Sequence, residues 1–135
     1  MDVACRLAAE HHASLTSVAV IEIPPLLPLD AHMIEEEDDA HRLLNRADAI
    51  ADSYGVSITS RILRARDAAA AIADQAQRTD AEIVVIGSAR KSRRTTHTTV
   101  LKTTIQDLLR KAPCRVMVVA APAEMEAERV VRVPP

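Results

Sequence analysis

Residues Ala81-Glu82-Ile83-Val84-Val85-Ile86-Gly87-Ser88 constrain the fold of this chain more than any other stretch. Four consecutive large aliphatic residues are apolar on both faces, the pattern of a strand buried in the middle of a parallel sheet. Gly87-Ser88 ends the run at a backbone-permissive turn. Over the next fourteen residues Arg90, Lys91, Arg93, Arg94 and Lys102 supply five cations, and no acid follows until Asp107. A helix is expected to open near Thr103. Strand end, cationic loop and helix N-terminus in series provide positive side chains, unpaired backbone N–H groups and a favourable dipole, which together suit an anion, most often a phosphate. Taken alone, the loop also reads as a solvated surface loop, and Thr95, Thr96, Thr98, Thr99, Thr103 and Thr104 as ordinary loop residues.

The rest of the chain alternates helices with strands. Residues 2 to 12 read as a helix with Val3, Leu7 and Ala8 on one face. Val18-Ala19-Val20-Ile21 marks a strand over 15–22, ended by Pro24-Pro25. Ala40, Leu43, Leu44, Ala47, Ile50, Ala51 and Tyr54 recur at helical spacing, and Gly55 is the expected stop. Glu35 to Asp39 read as the acidic first turn of that helix, or as a surface that docks on the basic loop of a partner subunit. A strand over 56–63 follows. Asp67 is a good N-cap for an alanine-rich helix over 68–78 whose Ile72 and Ala76 face the sheet. After the strand 82–86 and the basic loop, a helix over about 104–111 carries Ile105, Leu108 and Leu109 inward, and a strand covers 115–120. The tail holds one more candidate strand, 129–133. This order implies βαβ crossovers: an α/β fold with an open, mostly parallel sheet and helices on both faces. The domain proper spans 1–122, with 123–135 as a tail.

Composition narrows the function. At 135 residues the chain suits one core, and Tyr54 is its only aromatic residue, so that core is aliphatic. A net charge of −2 and the lack of stacking aromatics argue against nucleic acid as a partner. No apolar run reaches membrane-spanning length, and no signal peptide is visible. Cys5 and Cys114 read as reduced, buried thiols, which fits a cytoplasmic protein. His11, His12, His32, His41 and His97 lack metal-ligand spacing. No nucleophile, base and orienting group form a set, so an enzyme is not expected.

Two segments carry a resemblance: the strand ending in Gly87-Ser88, and Leu108-Leu109-Arg110-Lys111-Ala112-Pro113-Cys114-Arg115-Val116-Met117-Val118-Val119. Together with the order of elements before them, they resemble the universal stress protein family over roughly residues 3 to 120. The resemblance implies an adenine nucleotide alpha hydrolase-like (Rossmann-like) fold. It also implies a dimeric regulatory module with ATP, AMP or cyclic AMP as ligand, in some members with weak ATP hydrolysis, and in others fused to the cytoplasmic end of a membrane transporter. Nucleotide-binding members carry Gly, two residues, Gly, nine residues, Gly, then Ser or Thr. Here Gly87 matches the first position and Arg90 stands at the second. Counting back from Ala112-Pro113-Cys114, Lys102 stands at the third and Thr103 at the hydroxyl position, after a loop two residues longer. The resemblance therefore places a ligand at Gly87, Ser88, Arg90, Lys102, Thr103 and Thr104. Long cations in place of two glycines either obstruct the close approach of backbone to phosphate or reach the phosphate themselves. A chain in which they obstruct is a degenerate domain acting through protein–protein contacts.

The family's sheet has strand order 3-2-1-4-5, and its central first strand carries a nucleotide-contacting aspartate. By the resemblance, this chain begins in the helix after that strand. An empty slot there leaves two rows of unpaired amides, each costing about 1–3 kcal/mol. Three arrangements close it: a start upstream of Met1, a strand donated by another chain, or residues 129–133 folded back antiparallel to their neighbours. The same tail also suits an outer edge or a dimer interface.

Overall fold

A central sheet receives every helix. In the computed structural model, which describes residues 1–88, 95–120 and 131–133, the elements run α1 (Asp2–Glu10), β1 (Leu15–Glu22), α2 (Ile34–Ser53), β2 (Ile58–Ala65), α3 (Ala68–Arg78), β3 (Ile83–Ser88), α4 (Thr95–Lys111), β4 (Arg115–Ala120) and β5 (Val131–Val133). The strand order is β2-β1-β5-β3-β4. β1 pairs with β2, and β3 with β4, in parallel. β5 lies between β1 and β3 and runs antiparallel to both, with Arg132 opposite Ser17 on one side and Val85 on the other. The slot in the middle of the sheet thus holds the C-terminal segment. Residues 121–130, including the first two positions of the expected strand 129–133, lie outside the described residues.

Side-chain alternation sends successive strand residues to opposite faces. Val18, Val84 and Ile86 pack on one face with Ala69, Ile72 and Ala76 of α3 and Leu108 of α4. Leu15 and Val85 pack on the other with Ala4, Cys5 and Ala8 of α1 and Ala51 of α2, and Ala19 and Ile21 meet Ala40 and Leu44 of α2 there too. The crossovers from β1 and from β3 therefore leave on opposite faces, and the chain is doubly wound about the β5 position. Small residues dominate the helix faces. On α1 the buried stripe is Ala4, Cys5 and Ala8, whereas Val3 and Leu7, expected inward, are half-buried. Alanine at the contact lets the helix axis approach the sheet, which suits a core with no buried aromatic side chain, Tyr54 packing at its margin.

Several element bounds differ from the sequence reading. α4 begins at Thr95, about two turns before the expected start. No glycine or proline interrupts residues 88–112, and in the sequence Leu101 stands at helical spacing from Ile105 and Leu108, which is compatible with a helix through the threonines. Leu109, expected inward, is 58% exposed, because it lies 100° around the helix from the fully buried Leu108. Gly55, with φ of +67°, follows α2 as its stop.

Candidate functional site

The carboxyl ends of β1, β2 and β3 feed the turns in which a doubly wound sheet holds ligands. At the end of β2 the chain turns into α3. Asp67 caps that helix, accepting the Ala70 N–H at 3.2 Å, and its other carboxylate oxygen takes a 2.8 Å bond from Lys111 Nζ. Glu22, the last residue of β1, reaches across to accept the Ala68 N–H at 3.2 Å. The Lys111 ammonium, and then the helix N–H groups, hold the Asp67 carboxyl below the usual aspartate range. The first turn of α3 is therefore supplied with negative charge by the chain itself. α2 is similar, with Glu35, Glu36 and Glu37 in its first turn.

α4 differs. Its first turn, Thr95-Thr96-His97-Thr98, holds no acid, and Arg93 and Arg94 precede it. β3 leads toward it through Gly87, paired with Val119, and Ser88, paired with Ala120. Of the residues expected at the site, Gly87 and Ser88 end β3. Lys102, Thr103 and Thr104 lie inside α4 rather than at its start. Lys102 is seven residues beyond Thr95, about 10 Å along the axis at the α-helical rise. That corrects the expected placement of Thr103 as the residue that opens the helix. Arg90, with the rest of 89–94, lies outside the described residues.

The remaining chemistry is modest. Burial pushes the Cys114 thiol above its ordinary pKa, outweighing the hydrogen bond from the Val84 backbone, so it stays protonated at neutral pH. Both cysteines are free; Cys5 is buried and Cys114 half-buried. Among the described residues no three His, Cys, Asp or Glu side chains gather to hold a metal ion, and no helix is long and apolar enough to cross a membrane. Sequence reasoning missed Glu22 and Lys111, whose contacts join residues more than 40 positions apart. It also missed Arg64 and Arg66. Arg64 Nε donates to the Leu29 carbonyl at 2.9 Å, Nη1 to Glu37 Oε1 at 2.6 Å and Nη2 to the Ala31 carbonyl, while Arg66 donates to the carbonyls of Ile23 and Pro24. The alternation of Arg64 and Arg66 at the end of a strand was the available signal.

Comparison with known proteins agrees with this architecture. No curated protein sequence matches the chain. Among solved structures, a universal stress family protein from Burkholderia pseudomallei superposes with a TM-score of 0.66 at 25% identity, over 89% of this chain and 83% of the other. A universal stress protein in complex with cAMP gives 0.61 at 20% identity, over 90% and 84%. The universal stress protein from Archaeoglobus fulgidus in complex with dAMP gives 0.61 at 21%, over 86% and 84%. The model of the universal stress protein family matches residues 1–120, and the chain belongs to that family.

Proposed function

We propose that this chain is a regulatory module of the stress response. In this reading it binds an adenine nucleotide, or another phosphate-bearing anion, where β3 gives way to α4. The observation that carries the proposal is the contrast in charge between helix starts. Acids occupy the first turn of α2, and Glu22 and Asp67 meet the N–H groups of α3, while α4 follows Gly87-Ser88 and two arginines with no acid in its first turn. The cAMP and dAMP complexes of similarly folded proteins support a ligand of the AMP type. Gly87, Ser88 and the N-terminal amides of α4 take the phosphate. Arg90 supplies charge, and Lys102, Thr103 and Thr104 play a lesser part than their alignment suggested. The module works in the cytoplasm as a homodimer, for which β4 offers an edge strand. It performs no catalysis.

Calorimetric titration with ATP, AMP and cyclic AMP tests this. Binding of at least one of them tighter than millimolar is expected; absent or millimolar affinity for all three contradicts it. The observation favouring a second reading is that Lys102 and Thr103 are set inside α4. In that reading the domain is degenerate and acts through protein contacts alone, for example on a transporter. An Arg90→Gly, Lys102→Gly double variant that gains ATP binding absent from the parent supports it.

A further inference from the structure

The segment between β1 and α2 presents its apolar side chains to solvent. Leu26 is 96% exposed, Ile34 68%, Leu29 51% and Leu27 41%. Exposed leucines on a floppy loop carry little meaning, but this segment is fixed along its length. Two backbone bonds, Leu27 N–H to the Pro24 carbonyl and Ala31 N–H to the Pro28 carbonyl, both 3.0 Å, fold it into consecutive turns. Arg66 holds its start through the carbonyls of Ile23 and Pro24. Arg64 holds its end through the carbonyls of Leu29 and Ala31 and through Glu37. The half-buried Arg64, the exposed Arg66 and the prolines 24, 25 and 28 thus hold in place a row of leucines that are 41–96% exposed.

The surrounding charge says what covers it. Between residues 24 and 41 there are six carboxylates (Asp30 and the run 35–39) and no lysine or arginine. Arg64 pairs with Glu37 at 2.6 Å and Arg42 with Asp39 at 2.9 Å, and Asp30, Glu35, Glu36 and Asp38 are exposed. A second copy meeting this patch face to face sets the four exposed acids outside these ion pairs against four, and an anionic lipid surface meets the same repulsion. We infer that the 24–34 segment is a rigid docking surface for a partner protein that presents apolar side chains flanked by lysine or arginine, such as a basic amphipathic helix. Pre-ordering by Arg64 and Arg66 lowers the entropy that docking must overcome, and the acidic rim steers the basic partner to the leucines. The surface follows β1 rather than β3, and its docking role does not depend on a nucleotide bound after β3.

The test uses the full chain and a fluorescently labelled amphipathic helical peptide of leucine and lysine, read by anisotropy. Binding to the parent is expected, weakened about tenfold or more by Leu26→Ser, Leu29→Ser together, with circular dichroism unchanged because both side chains are solvent-facing. Arg64→Ala is expected to weaken binding by a smaller factor, through loss of order in the loop. Three results overturn the inference. The first is no binding of the peptide, or binding equal in the parent and the leucine variant, which marks mere charge attraction. The second is tighter binding to phosphatidylserine-containing vesicles than to the peptide. The third is concentration-dependent self-association abolished by the leucine substitutions, which makes the surface an interface between copies of this chain. Nucleotide titration of the leucine variant keeps the two sites distinguishable, since its affinity is expected to match the parent's.

Discussion

α3 and α4 each follow a strand of the same sheet and pack side by side through Ile72, Ala76 and Leu108, yet their beginnings are chemically opposite. At α3 the Asp67 and Glu22 carboxylates accept N–H groups of the first turn, and Lys111 neutralises Asp67. At α4 the preceding residues are cationic and the first turn carries hydroxyls and one histidine. A helix start already joined to the chain's own carboxylates gains little from an external anion, because its free N–H groups and its dipole are satisfied. Two equivalent positions in one doubly wound sheet thus differ by which charges the sequence places there.

The comparison assumes that both helices are docked equally well. Ile72→Ala in α3 and Leu108→Ala in α4, at sites 1% and 0% exposed, are each expected to destabilise by about 2–5 kcal/mol, measured by urea denaturation. A much smaller loss at Leu108 breaks the assumption. Next in size, Thr96→Asp or Thr98→Asp gives the first turn of α4 the acid that it lacks. Either change is expected to weaken nucleotide binding about tenfold or more while leaving helix content intact, read by calorimetry and circular dichroism. Unchanged affinity removes the α4 N-terminus from the site.

Asp67→Ala should cost about 1 kcal/mol as a lost N-cap. Its carboxyl is held below the ordinary range in the folded protein, so its contribution is present above the unfolded pKa. That contribution is lost as pH falls from about 4 through the lower folded value. Parent stability should therefore drop more steeply below about pH 4 than that of Asp67→Asn. The smallest effect is expected from Glu22→Gln, which keeps an acceptor for the Ala68 N–H and loses only charge, a few tenths of a kcal/mol.

How far the sequence exposes this arrangement depends on distance along the chain. Asp67 is legible as a cap because capping is local, three residues from donor to acceptor. Gly87 and Ser88 are legible because four aliphatic residues must be a buried strand and the glycine follows them. The start of α4 is not, since Thr95 to Thr104 contains neither a breaker nor an apolar stripe strong enough to mark a boundary. Glu22 at the α3 start and Arg64 across the 24–34 loop depend on residues brought together by the sheet. The placement of β5 is a case between these: the need for a strand between β1 and β3 follows from the family's strand order, and Val131–Val133 meets it with three residues against the eight of β1.

The most direct measurement follows backbone amide shifts of the full chain during titration with AMP. The account predicts saturable shifts at Gly87, Ser88 and the first turn of α4, with Ala68 to Ala70 at the start of α3 unmoved. Shifts centred on the α3 start, or none at the end of β3, contradict it.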